Sequence, residues 1–367
     1  MKNACLVLTT EKAFPCVAYA DVLAAFARGG YFFLETRVIS VAEETAVKAA
    51  LIDLKNAYEN IALIACGVSL SAVRRFLEDV FQRNYERDTV LGEGVYTQDR
   101  KTLFLLSADD KKTGVSYVES VCVPHMNDKY VIRKDSIVVR CVGADERWLQ
   151  GILAQAEEMG DGKLTVVRTG RFGEDVIRVF YDSSTPKMLI DDVLRFLVDR
   201  LNENIYALDD TPLEVRLVQL LRLRGRKISV AESFTGGGLG KRIVSVSGAS
   251  AVYFEGLNTY AETSKIQRLG VTEYTLRTQG AVSEQTAYEM AAGLLATGNC
   301  QVAISTTGLA GPNGDDSGLP VGICCIGVGI EDKVYVYRYR LDGDREAITQ
   351  TAINYALFLA CKQMKNL

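Results

Sequence analysis

At 367 residues the chain is too long for one ordinary core, and at roughly 150 residues per domain it implies two or three. Apolar residues make up 48% and charged residues 24%, which excludes the disordered and fibrous classes. A net charge of -4 leaves no basic surplus to neutralise a nucleic-acid backbone, so nucleic acid is not expected as a partner.

The opening residues, Met1-Lys2-Asn3-Ala4-Cys5-Leu6-Val7-Leu8, hold an apolar run too short for a signal peptide and well sized for a buried strand. No window is long and apolar enough to span a bilayer, so no membrane partner is expected and the cytoplasm is the expected compartment. Up to about residue 81, strand-like runs at 4–8 and 61–65 alternate with helical patterns at 22–28, 42–54 and 72–80. That alternation predicts an α/β layer with a parallel sheet. A further strand is expected at 102–106.

Residues 137–142 read as a strand, 148–158 as a helix, 164–168 and 176–181 as a strand pair, and 187–201 as a helix, together a small α+β module. Thr211-Pro212-Leu213-Glu214 then spells a capping box with proline at the first helical position, which predicts the start of a new domain. Beyond it, strands are expected at 228–231, 253–259, 301–305 and 322–329, two of them followed by glycine clusters.

The nine cysteines form no CxxC pair and read as reduced core residues. The single histidine, His125, lies far from the C-terminal strands, which excludes a Ser-His-Asp or Cys-His relay and a histidine-rich zinc site there. Acyl chemistry in that region must take Lys, Tyr or a carboxylate as its base. Ala231-Glu232-Ser233-Phe234-Thr235-Gly236-Gly237-Gly238 leaves a strand and opens a helix, and it forms either a phosphate cradle or a tight turn. It fits neither the Walker nor the Rossmann spacing. A second loop, Thr307-Gly308-Leu309-Ala310-Gly311-Pro312, also follows a strand, where open α/β sheets hold their ligands. Between the loops, Tyr260 ends a strand and Lys265 falls in the first turn of a helix capped by Thr263 and stopped at Gly270. The positive end of that helix would lower the lysine pKa toward the range of a useful base, but taken alone these residues favour solvated surface groups over a site.

These segments, with Gly248-Ala249-Ser250, Leu269-Gly270-Val271, Gly280-Ala281-Val282-Ser283 and Pro320-Val321-Gly322, resemble in order and spacing the C-terminal domain of the CinA family, over residues 208–367. The resemblance implies an amidohydrolase that converts nicotinamide mononucleotide to nicotinic acid mononucleotide and ammonia in pyridine-nucleotide salvage, a small-molecule nucleotide substrate, and neither metal nor cofactor. It implies Ser250 as nucleophile, with Ser233 as its rival, and Tyr260 and Lys265 as the groups that activate it. Glu232, Ser233, Thr235, Gly236, Gly237, Thr307, Gly308, Gly311, Pro312 and Arg345 are implied to bind substrate. It further implies a homo-oligomer, a dimer or higher. Two departures stand out: Phe234 where the family usually has cysteine, and Asp315-Asp316-Ser317-Gly318 before Pro320, less glycine-rich than usual.

Residues 1–130 resemble the family's molybdopterin-binding-like α/β domain in degenerate form, and 131–207 its small KH-like α+β module. The acidic segment expected near Leu8-Thr9-Thr10-Glu11 is missing, and Ala65-Cys66-Gly67-Val68-Ser69 stands for a loop richer in glycine. A pyrophosphatase activity known in relatives of that domain is therefore expected to be lost. Gly170-Arg171-Phe172-Gly173 spells a KH-type loop but falls between two expected strands, which favours a hairpin turn over RNA contact. The competing reading of the whole chain is a catalytically silent nucleotide-binding scaffold in competence or the DNA-damage response.

Overall fold

The computed structural model describes residues 2–10, 18–81, 86–88, 94–98, 100–130, 134–314 and 318–365. Packing separates two compact units, Met1–Ser136 with Phe180–Thr185, and Ile137–Val179 with Pro186–Leu367. The fold is mixed α/β, with three sheets among the described residues.

In the first unit, β1 (Asn3–Thr9), α1 (Ala18–Arg28), β2 (Glu35–Ser40), α2 (Glu44–Ala57), β3 (Asn60–Cys66) and α3 (Leu70–Phe81) alternate. The short strands β4 (Glu86–Asp88) and β5 (Gly94–Gln98) follow, then β6 (Lys101–Ser107), α4 (Lys111–Tyr117) and α5 (Val123–Tyr130). The sheet order is β2-β1-β3-β6-β5-β4, parallel through β6 and antiparallel beyond it. Ala4, Leu6 and Leu8 of β1 pack under α2 and α3, whereas Cys5 and Val7 pack under α1 and α5. Both faces of β1 and β3 are thus covered, which is why these strands read as unbroken apolar runs. His125 stacks edge-on against Phe104 at 5.8 Å, and burial lowers its pKa.

The second unit opens with β7 (Lys134–Val142), α6 (Glu146–Met159), β8 (Thr165–Arg171), β9 (Glu174–Asp182), α7 (Lys187–Leu201) and β10 (Ile205–Ala207), whose strands form one sheet in the order β10-β7-β9-β8. It continues through α8 (Leu213–Leu223), β11 (Ile228–Glu232), α9 (Gly238–Val244), β12 (Tyr253–Asn258), α10 (Glu262–Leu269), α11 (Glu273–Gln279) and α12 (Glu284–Ala296). The last elements are β13 (Val302–Gly308), β14 (Ile323–Ile330), β15 (Lys333–Arg340) and α13 (Arg345–Lys365).

The third sheet runs β12-β11-β13-β14-β15, with β12, β11 and β13 parallel and the last two strands antiparallel. Ile228, Val230, Val302 and Ile304 meet α8, α9 and α13 on one face, while Ala231 and Ala303 meet α10, α11 and α12 on the other. The chain leaves β11 to one side for β12 and returns to the other side as β13. That reversal opens a crevice at the carboxyl ends of these strands, where open α/β sheets hold ligands.

The expected capping box at Thr211 does not form. Pro212 itself occupies the cap position of α8, the Thr211 amide donates to Asp209 Oδ1 at 2.9 Å, and Glu214 pairs instead with Arg242 of α9. Among the described residues, no helix is long and apolar enough to cross a membrane.

Candidate active site

Three strand ends converge in the crevice. Beyond β11, the Ser233 amide donates to the Thr306 carbonyl at 3.0 Å, and the hydroxyls of Thr235 and Thr306 lie 2.7 Å apart. Past β12, the Thr259 amide donates to the Glu232 carbonyl at 2.8 Å. Helix α10 starts at once and turns Lys265 back beneath these loops, leaving that residue 1% exposed.

The Lys265 amine lies 3.0 Å from Ser233 Oγ, 2.6 Å from the Thr259 carbonyl and 3.1 Å from the Tyr260 carbonyl. Burial brings its pKa down to about 8 against the opposing pull of Glu262. Desolvation is the leading cause. The helix itself is capped by Ala261, two residues ahead of Thr263, and stops at Gly270 in a left-handed conformation as expected. Protonated, the amine has three donors for three acceptors. Neutral, it keeps two N–H groups for the two carbonyls and turns its lone pair to the Ser233 hydroxyl, the arrangement a general base requires.

The glycine turn after Ser233 is closed by the protein's own anion. Glu232 is buried, and its carboxylate accepts from the amides of Gly237 (3.0 Å), Leu239 (3.0 Å) and Gly240 (2.8 Å). Gly236 and Gly237 have φ of 60° and 91°, which permits the turn. The amino end of α9 is therefore occupied, and Glu232 clamps this loop with its carboxylate spent on the protein's own amides. Gly236 and Gly238 donate back to the Ser233 and Thr235 carbonyls. Among the described residues, the amides of Phe234 and Thr235 are the ones in this loop left without an acceptor. Phe234 is buried with Ala310, Cys324, Leu341, Ile348 and Ala352, so the bulk that replaces cysteine ties the two loops together.

In the second loop, the Thr307 hydroxyl donates to the Ala281 carbonyl at 2.6 Å, and Gly308 lies so close to Cys324 that a Cβ would approach it to 2.6 Å. Gly311 packs on Val321, precedes an exposed Pro312 through a cis bond, and accepts from Arg345 at 2.7 Å. Arg345 is exposed at the start of α13, where it steadies the loop and keeps further donors open to solvent. Residues 315–317 lie outside the described residues.

The crevice does not gather every residue expected of it. Ser250 is exposed on a turn that precedes β12, whereas Lys265 follows that strand, so the six residues of β12 separate them by about 20 Å within one chain. Tyr260 is 64% exposed and meets Lys265 through its carbonyl, its phenol facing solvent. The geometry thus corrects the expected Ser250-Tyr260-Lys265 arrangement and pairs Lys265 with Ser233. Thr306 and Thr259, which the sequence reading did not name, fix the two loops. The run Ser305-Thr306-Thr307, three hydroxyls ending an otherwise apolar strand, was the available signal.

The first unit's corresponding turn, Cys66 to Ser69, is also closed from within, because Asp109 accepts from the Gly67 amide. Glu11 of the expected acidic segment lies outside the described residues.

The sequence model of the CinA C-terminal domain matches residues 210–364. A competence-damage inducible protein of Clostridium beijerinckii is 32% identical over 316 residues, which span 79% of this chain and 75% of that protein. The chain belongs to the CinA family. Another relative, from Caldicellulosiruptor saccharolyticus, is 40% identical over 185 residues, but these cover 50% of this chain and 45% of the relative. A CinA-like protein of Kosmotoga olearia is 32% identical over 72% of this chain, which is 65% of its own length. Among solved structures, a competence-damaged protein (CinA) superfamily protein from Enterobacter cloacae is 32% identical over 44% of this chain and 97% of its own, with a TM-score of 0.41.

Proposed function

We propose that this CinA-family chain is an amidohydrolase that converts nicotinamide mononucleotide to nicotinic acid mononucleotide, with Ser233 as nucleophile and Lys265 as base. The substrate comes from the family resemblance. The chemistry is supported by a single observation: a desolvated lysine amine 3.0 Å from a serine hydroxyl at the carboxyl edge of the sheet.

Neutral Lys265 takes the Ser233 proton as Oγ attacks the carboxamide carbon. The tetrahedral oxyanion is met by the unspent amides of Phe234 and Thr235, in the manner of an oxyanion hole. Lys265 then delivers its proton to the departing nitrogen, the C–N bond breaks and ammonia leaves. Water activated by the same amine hydrolyses the ester on Ser233 and restores the hydroxyl. Arg345 beside Gly311 supplies the positive charge for the phosphate.

The deciding experiment follows ammonia release from nicotinamide mononucleotide by the full chain and by Ser233→Ala, Lys265→Met and Ser250→Ala. Loss in the first two with retention in the third is expected. Retention in Ser233→Ala would overturn the assignment, and nucleotide binding without turnover by the unaltered chain would favour a sensing or scaffold role.

A further inference from the structure

We propose that the hairpin turn Gly170-Arg171-Phe172-Gly173 positions the Ser233 loop, acting through Asn354 of α13. The proposal rests on the assignment of Ser233 above.

Asn354 is 3% exposed in the middle of a helix, where an unsatisfied amide would be costly. Both of its ends are satisfied, and by different elements. Its Nδ2 donates to the Phe172 carbonyl at 3.0 Å, at the tip of the β8–β9 turn, and its Oδ1 accepts from Arg242 Nη1 at 3.2 Å. Arg242 belongs to α9, and α9 is tied at its amino end to Glu232, the residue before Ser233.

Packing follows the same route. A Cβ on Gly173 would come within 2.8 Å of the Tyr355 ring and 3.1 Å of Thr351, so the turn sits flush on α13. On its other side the same helical turn carries Ala352, which shares a cluster with Phe234, and Ile353, whose Cδ1 would lie 2.8 Å from a Cβ on Gly238. One turn of α13 is thus held between the hairpin and the elements that carry the nucleophile. Phe172 and Gly173, at φ of 55° and 72°, form the left-handed turn whose Phe172 carbonyl meets Asn354.

The test is Asn354→Asp in the full chain. Aspartate keeps the shape and an acceptor for Arg242, now as an ion pair, but sets an oxygen against the Phe172 carbonyl, which removes the donor to the hairpin. We expect kcat to fall about tenfold, short of the hundredfold that a displacement of a full ångström can bring. KM should stay within about twofold and the pH limb near 8 should stay in place, because neither Lys265 nor the substrate contacts change. Amide exchange should quicken at residues 171–173 and 236–240. Loosening confined to the hairpin with unchanged turnover, or exchange raised evenly through β13 and β14, overturns the proposal. If Asn354→Asp does not fold, Gly173→Ala on the hairpin side is read by the same outcomes. If the unaltered chain releases no ammonia, the function assigned to the site fails, and the exchange pattern still decides the role of the hairpin.

Discussion

Among the described residues, Lys265 and Lys129, one in each unit, are held below the ordinary ammonium pKa by burial, and each touches a hydroxyl. Lys265 meets Ser233 at 3.0 Å, and Lys129 meets Thr102 at 2.9 Å with Asn60 Oδ1 at 2.6 Å. The pairs differ in which edge of a parallel sheet they occupy. Thr102 and Asn60 open β6 and β3 at the amino edge, where both are buried in a network with Asn3 and Tyr130. Ser233 stands just past the carboxyl end of β11, beside the unspent amides of Phe234 and Thr235. A depressed lysine pKa therefore reports desolvation, and only the surrounding backbone makes it useful for chemistry.

The sharpest break of this comparison is by substitution at both sites. Ser233→Ala or Lys265→Met should lower kcat by three or more orders of magnitude, as removal of a covalent nucleophile does in other hydrolases. Lys129→Met should leave turnover of the folded protein intact, and comparable losses at the two lysines would erase the distinction.

The pH profile comes next. Lys265 must be neutral to act, so kcat/KM should fall about tenfold per pH unit below about 8 and level off above it. The same shift bears on folding. Between about 8 and 10.5 the unfolded chain holds a proton on this lysine that the folded chain has lost, so its contribution to stability rises with pH across that window. Denaturant titrations at pH 7.5 and 10 should show that slope in the native protein and its reduction in Lys265→Met.

A smaller effect is expected at the clamp. Glu232→Ala strands three amides at the start of α9 and should cost about 2–3 kcal/mol in chemical denaturation. If Glu232 served the substrate instead, stability would hold and KM alone would rise. The smallest effect is expected for Ser250→Ala, an exposed position, with turnover and stability within about twofold of the native protein. A large loss there would return the nucleophile to the turn before β12 and demand that a second chain bring it to Lys265.

Much of the fold was legible in the sequence. Strands such as β1, β3 and β14 are buried on both faces, so they leave apolar runs that need no periodicity to be seen. Helix α13 was not: it is covered by the sheet on one side and by α8, α9 and the β8–β9 turn on others, and a helix buried nearly all round shows no stripe. Short β4 and β5 carry too few residues for a pattern.

Within the site, the sequence by itself determined the kinds of groups available: no histidine in the C-terminal segment, a lysine near a strand end, serines and two glycine loops. It could not decide which serine the lysine meets, because the 32-residue separation of Ser233 and Lys265 is closed by β11 and β12 lying parallel, while Ser250, nearer in sequence, is carried to the far end of β12. Nor could it show that Glu232 would fill the anion site that the glycines seemed to offer. A carboxylate and three amides satisfy each other only once the turn has formed, and tertiary structure alone decided that the cradle is the protein's own.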